Sequence, residues 1–197
     1  MEKNKTPSPL EQAGTKTPSP PERAALRSPS PSERAGVRHP SERAGVRHPS
    51  KRAGVSFITA DEVLPLRNEV LREGKLTLDE CRWPGDETEG SFHLGYFVDN
   101  HLACIASFYI NAQEPFSGLG YQLRGMATAE AYRGRGIGNQ LVNFAIVYLR
   151  GQKANYIWCN ARKKAAKFYE GLGFETISAE FDIPGIGPHY KMYLKIQ

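Results

Sequence analysis

The chain has few cysteines, few methionines and no long apolar run. Its three cysteines, Cys81, Cys104 and Cys159, are odd in number and widely spaced. No zinc-ligand spacing and no disulfide framework can be read from them. Cys104 and Cys159 lie inside apolar, strand-like runs, which points to buried thiols in a reducing compartment. No stretch approaches the roughly 18 apolar residues of a membrane helix. The first residues contain no apolar core of a secretory signal. The expectation is a soluble, cytoplasmic protein with no membrane partner and no metal.

Acidic charge is scarce at one end only. The net charge of +5 is concentrated in residues 1–54, which hold 11 Lys/Arg against 5 Asp/Glu. Residues 55–197 hold 15 against 16 and are near neutral. The basic balance therefore belongs to the N-terminal segment, and no specific nucleic-acid partner is expected of the rest.

Apolar residues are also scarce in residues 1–54. Pro31-Ser-Glu-Arg-Ala-Gly-Val-Arg-His39 recurs from Pro40 to His48 and begins again at Pro49. Each unit carries one Val or Leu as its apolar anchor, too little to offset the entropy of ordering it. Solenoid repeats are about 20 residues or longer and build a shared core. Residues 1–54 are expected to be a disordered, low-complexity tail with polyproline II character. Phosphorylation of its Ser-Pro sites, or docking on an acidic surface, is the functional alternative to an expanded tandem repeat.

What is present lies in residues 55–197, the expected single domain. Val55 to Thr59 reads as a strand, and Thr59 with Glu62 has capping-box spacing for a helix through Leu66, Val70 and Leu71. That helix is expected to carry Pro65 in its first turn. Residues 74–90 read as a loop. Phe92 to Val98 and Leu102 to Ile110 flank Asp99-Asn100, a hairpin signal. Tyr121 to Thr128 reads as a strand and Ile137 to Gly151 as an amphipathic helix. Tyr156 to Asn160 is a short strand, Lys163 to Leu172 a short helix. Phe174 to Phe181 and His189 to Ile196 complete the chain as a strand pair. The order β-α-ββ-β-α-β-α-ββ predicts an α/β domain with one mixed sheet.

The most informative stretch is Arg133-Gly134-Arg135-Gly136-Ile137-Gly138-Asn139, between a strand and a helix. Three glycines at alternate positions leave backbone N–H groups open at a helix N-terminus, an anion site. A P-loop is excluded because no Gly-Lys-Ser/Thr follows. A dinucleotide fingerprint is excluded because Asn139 stands where its third glycine belongs.

Arg133-x-x-Gly136-x-Gly138 after a strand resembles the acyl-CoA motif of the GNAT (Gcn5-related) N-acetyltransferases. Phe168-Tyr-Glu-Gly-Leu-Gly-Phe174 is similar to a second motif of that family, and the resemblance spans roughly residues 55–197. It implies a GNAT-type mixed sheet with splayed central strands flanked by helices. It implies acetyl-CoA as cosubstrate and an amine as acceptor, with direct transfer between them. Arg133, Gly134, Arg135, Gly136, Ile137, Gly138 and Asn139 would hold the pyrophosphate. Main-chain groups of Met126 and Thr128 would meet the pantetheine arm and the thioester carbonyl. Tyr169 fits the family's general acid, with aromatic packing beside Phe168 as the alternative. The family's usual Asn is replaced by Arg162, and Asn160 nearby stands in as a cofactor contact. Arg162 or Lys163 is also placed to face the 3′-phosphate.

The general base is not legible at this level. Glu130, His93, His101 and His189 are candidates, and His189 is preferred. It follows Ile183-Pro-Gly-Ile-Gly-Pro188, similar to a segment of the ElaA-like branch. Trp83, Phe92, Tyr109 and Phe116 are candidate acceptor-site aromatics. A catalytically silent acyl-CoA-binding sensor is the rival reading, and a homodimer is left open.

Overall fold

The structure is a computed structural model and describes residues 52–197. The expected tail over 1–54 lies outside the described residues up to residue 51. Residues 52–54 belong to the folded part: Arg52 pairs with Glu62 at 2.8 Å, and Gly54 opens the first strand.

The elements are β1 (Gly54–Ile58), α1 (Ala60–Arg72), β2 (Phe92–Val98), β3 (His101–Ile110), β4 (Gly120–Thr128), α2 (Ile137–Gly151), β5 (Tyr156–Arg162), α3 (Ala166–Glu170), β6 (Glu175–Thr176), β7 (Phe181–Ile183) and β8 (Gly187–Lys195). Among the described residues the eight strands form one sheet in the order β1-β2-β3-β4-β5-β8-β6, with β7 also on β8. Only β4 and β5 run parallel. The mixed sheet flanked by helices is the expected architecture.

Local chemistry explains the elements. Thr59 Oγ1 accepts from the Glu62 N–H while Glu62 accepts from the Thr59 N–H at 2.9 Å, the reciprocal cap. Pro65 falls in the second turn of α1, not the first, so the Asp61 carbonyl forgoes its helical donor. Asp99 and Asn100 both take positive φ, 47° and 69°, as a type I′ hairpin turn requires.

The last hairpin departs from expectation. Residues 174–181 are not one strand: β6 and β7 are separated, and the Ser178 hydroxyl replaces a backbone acceptor for the Lys191 N–H at 2.9 Å. The 183–188 connection is a tight turn. Pro184 and Gly185 occupy its centre, Gly185 has φ 75°, and Ile186 N–H donates to Ile183 at 2.9 Å.

Helices cover both faces of the sheet. Val63, Leu64 and Leu66 of α1 bury against Ile105 and Ala127 on one face. Leu141, Val142, Ala145 and Leu149 of α2 bury against Leu94, Phe108 and Ile157 on the other. Strand β3 therefore alternates between two cores and reads as a continuous apolar run. No helix among the described residues is long and apolar enough to cross a membrane.

Candidate active site

Strand β4 pairs with β5 only from Gly120 to Gln122, against Tyr156 to Trp158. Beyond Gln122 the two strands part. On its other side β4 carries an extra residue against β3, between Arg124 and Ala127, with Gly125 at φ 63°. This is a bulge, and it bends the strand at the point of separation. The sheet edge left unpaired on β4 opens on a cleft of about 260 Å³.

The cleft is lined by Gln122, Leu123, Arg124, Gly125 and Met126 from β4, and by Asn160, Ala161 and Arg162 from β5. Leu71 and Arg72 at the C-terminal end of α1, and Trp83 from the following loop, form one wall. Tyr169 of α3, Ile183, Ile186 and His189 form another. Met126, Asn160, Tyr169 and His189 are thus brought together, although 63 residues separate the first from the last. Thr128 does not line the cleft. Its hydroxyl donates to Cys104 Sγ at 3.1 Å, and its carbonyl accepts from Arg133 Nε at 3.2 Å.

The glycine-rich turn abuts this cleft. Gly134 and Gly136 have φ 74° and 71°, and a methyl group on either would meet nothing within 4 Å. Backbone conformation, not space, requires glycine at these two positions. Gly138 differs. A Cβ there would lie 2.8 Å from Met126 Cε and 3.3 Å from the Phe168 ring, so the start of α2 packs directly on β4 and α3. Gly136 is the N-cap and provides no side-chain cap, and no acid stands in the first turn of α2. The orphan N–H groups of that helix end, Ile137, Gly138 and Asn139, have no protein acceptor among the described residues. Arg135 sits over the Tyr132 ring at 5.3 Å.

Tyr169 is buried between Phe168 and Phe174, at ring distances of 5.0 and 5.4 Å. Burial pushes its phenol well above the usual value, and the neighbouring Cys159 and Cys104 add to this. The proton is therefore retained across the physiological range. Among the described residues, the one fully enclosed side-chain polar atom without a partner is Arg67 Nε. The Tyr169 hydroxyl, which has no protein partner, is accordingly not sealed off from the cleft. His189 is buried, and its Nδ1 lies 2.6 Å from the Gly187 carbonyl. A carbonyl only accepts, so Nδ1 carries the proton and a neutral ring keeps its lone pair on Nε2.

The other candidates disperse. His93 is held by Ser107 at 2.8 Å and the Asp86 carbonyl at 2.9 Å, and burial lowers its pKa. His101 and Glu130 do not line the cleft. Phe92 stacks on Phe108 at 4.8 Å, and Phe116 stacks on Tyr193 at 3.8 Å. Of the four aromatic candidates Trp83 alone lines the cleft; Tyr109 is buried behind it.

Behind Trp83 is a polar network that the sequence reading missed. Arg67 is wholly buried and donates to both oxygens of Asp86, at 2.7 and 2.9 Å, to Cys81 O at 2.8 Å and to Ser107 Oγ at 3.0 Å. Its guanidinium lies 3.8 Å from the Trp83 ring, which also carries Arg124 at 4.5 Å. A signal was available: Arg67 falls four residues after Val63 and four before Leu71, in the apolar stripe of α1.

Residues 59–174 match the acetyltransferase (GNAT) family. The uncharacterized N-acetyltransferase YitI of Bacillus subtilis (strain 168) is 39% identical over 140 residues, which are 71% of this chain and 93% of that protein. Among solved structures, FeeM, an N-acyl amino acid synthase from uncultured soil microbes, superposes with a TM-score of 0.62 at 14% identity, over 75% of this chain and 92% of its own. An aminoglycoside 6′-N-acetyltransferase complexed with coenzyme A gives 0.58 at 15%, over 73% and 97%. ElaA of Escherichia coli gives 0.57 at 18%, over 71% and 97%. At those identities the structures speak for the fold, while the family match and the Bacillus relative speak for descent. The chain belongs to the GNAT family and is an N-acetyltransferase.

Proposed function

We propose that the protein transfers an acetyl group from acetyl-CoA to an amine by direct attack within a ternary complex. The observation that carries this is the uncapped N-terminus of α2, with Gly134 and Gly136 left-handed, beside the unpaired edge of β4. The residues present fit the cosubstrate. Backbone N–H groups from Gly134 to Asn139, with Arg133 and Arg135 alongside, suit a pyrophosphate. The free edge of β4 near Met126 suits the amides of a pantetheine arm, which pair as a strand would, and Asn160 faces it from β5.

Bound there, the thioester supplies an activated acetyl group with a good leaving group. The chain's own residues then manage two protons. His189 Nε2 is free to take a proton from the attacking nitrogen. Tyr169 Oη, which keeps its proton at neutral pH, is able to give one to the departing sulfur. Main-chain donors on β4 near Met126 and Thr128 would stabilise charge developing on the carbonyl oxygen. The apolar side chains of the lining, Leu71, Leu123, Ile183 and Ile186, would limit bulk water at the reacting atoms.

The test is release of CoA from acetyl-CoA with a broad amine panel, together with calorimetry of CoA. No CoA binding and no release would end the proposal. CoA binding without turnover on any amine would favour a silent binding module. Tyr169→Phe is expected to lower kcat by about 100-fold, in the range of general acid catalysis, with the KM for acetyl-CoA unchanged. Equal turnover would remove Tyr169 from the chemistry.

A further inference from the structure

Three arginines line the cleft, Arg72, Arg124 and Arg162, and no aspartate or glutamate does. They come from three different elements, the C-terminal end of α1, the bulged part of β4 and the end of β5. Five side-chain ion pairs or networks tie other cations of the described residues to acids, but none of these three is so tied. Arg124 is exposed and stacks on Trp83 at 4.5 Å. Arg162 reaches only the Leu71 carbonyl, at 3.5 Å. Arg72 is half-buried at the last turn of α1.

Unpaired guanidinium groups converging on a concave site are costly unless a counter-charge arrives with the ligand. The domain is otherwise near neutral, so this local excess is not a general property of its surface. The glycine-rich turn supplies separate groups for the pyrophosphate, and none of its residues lines the cleft. In the cationic wall formed by Arg72 and Arg124, Arg124 lies over the Trp83 ring at 4.5 Å, and neither arginine belongs to that turn.

Resting on the acetyl-transfer reading above, we propose that the acceptor is a small amine carrying an anionic group, a carboxylate or a phosphate, which Arg72 and Arg124 receive. Arg124 lies over the Trp83 ring, which is itself backed by Arg67 at 3.8 Å, and this contact restrains its planar fork, a group suited to two parallel hydrogen bonds. The volume of about 260 Å³ suits a small acceptor beside the end of a pantetheine arm. Three cations against one anionic group leave a positive surround. That surround disfavours the ammonium form of the acceptor and repels polyamines and lysine-rich peptides.

The experiment compares kcat/KM for pairs that differ only in the anionic group. Glycine and glutamate are set against glycinamide and glutamate diamide, glucosamine 6-phosphate against glucosamine, and spermidine is the polycationic arm. At least a tenfold preference for one anionic member over its neutral partner is expected, and the preferred pair tells carboxylate from phosphate. Arg124→Gln and Arg72→Gln are each expected to reduce that preference tenfold or more, by raising the acceptor KM while the acetyl-CoA KM stays put. Calorimetry of the CoA complex with the N-acetylated acid and with its amide gives a readout that does not depend on turnover, and the acid alone is expected to bind. Equal use of neutral partners, a preference for spermidine, or a raised acetyl-CoA KM in both variants would overturn the inference while leaving acetyl transfer intact. Failure of CoA itself to bind would instead strike the underlying function.

Discussion

Replacing Asp86 by Asn should destabilise the fold by several kcal/mol, and replacing Arg67 as well should recover part of the loss. The side chains of Arg67 and Asp86 are 0% and 1% exposed, so water cannot take over for a missing partner. Asp86 accepts four hydrogen bonds: two from Arg67, one from Trp83 N–H at 2.7 Å and one from Tyr109 Oη at 2.6 Å. An amide in its place keeps one oxygen, turns an N–H₂ toward two donors, and leaves the guanidinium without a counter-charge. Breaking a buried pair this way costs about 3–5 kcal/mol, against a total of about 5–15 for a domain. A fall in Tm on the order of 10 °C follows for a chain of this size. In the double variant Arg67→Met with Asp86→Asn the unpaired charge is gone. The amide oxygen then takes the Trp83 N–H, and the amide N–H₂ can donate to Tyr109. Urea unfolding followed by tryptophan fluorescence reads both variants as shifts in midpoint at constant slope. A single variant within about 1 kcal/mol of the parent protein would refute the reasoning. So would a double variant no more stable than the single.

Acid should weaken the fold in two stages. Burial lowers the pKa of His93, so its contribution is full above the unfolded value of about 6.5 and is lost as pH falls through the folded value. Burial pushes Asp86 up, but hydrogen bonds from Arg67, Trp83 and Tyr109 outweigh it and bring the carboxyl down to about 2. Its contribution, about 2 kcal/mol, is present above the unfolded value near 4 and is lost toward pH 2. Unfolding midpoints against pH should show both stages, and His93→Gln should flatten the first. Gly136→Ala must hold φ near 71° with a side chain, at about 1–2 kcal/mol. Calorimetry should show CoA affinity reduced about tenfold while the added methyl itself meets no neighbour. The thiols should resist alkylation at pH 8 in the native protein. All three are buried, and burial raises Cys104 to about 11 and Cys159 further still. Mass spectrometry should find them modified only in urea.

Much of the fold was legible because its signals are local. The Thr59–Glu62 cap, the Asp99-Asn100 turn and the glycines before α2 are each written within a few residues. The length of the final strands was not, because Ser178 competes with the backbone for Lys191, and no local pattern shows where that competition wins. The approach of Tyr169 and His189 to Met126 came from a family resemblance, and the geometry now gives each a physical place in one cleft. The cationic wall escaped because Arg72 and Arg124 are each unremarkable on their own element, and Arg162 stands out in the sequence only as the residue at the family's Asn position. Only the divergence of β4 from β5 makes them neighbours. The burial of Asp86 is hidden for a related reason. In sequence it is one acid of a solvated-looking loop, and only the pull of a buried Arg67, forty residues from Ser107, carries it inside.

The buried network and the cleft are coupled through one side chain. Trp83 N–H donates to Asp86, its ring lies between Arg67 and Arg124, and its edge faces the bulge at Gly125, where a Cβ would come within 2.9 Å of it. The bulge lies where β4 parts from β5, so the ring packed against the bulge also carries Arg124, the arginine proposed to receive the acceptor. Arg67 has one unpaired donor, Nε, and an ideal Cβ on Gly125 would lie 3.6 Å from that atom. The cost of leaving it unpaired is accepted where the strand must stay bent. A loss of stability at Asp86 should therefore appear first as a loss of acceptor selectivity, at temperatures where the fold is still intact. The glycine-rich turn, packed separately through Gly138 on Met126 and Phe168, should keep the affinity for CoA proposed for it over the same range.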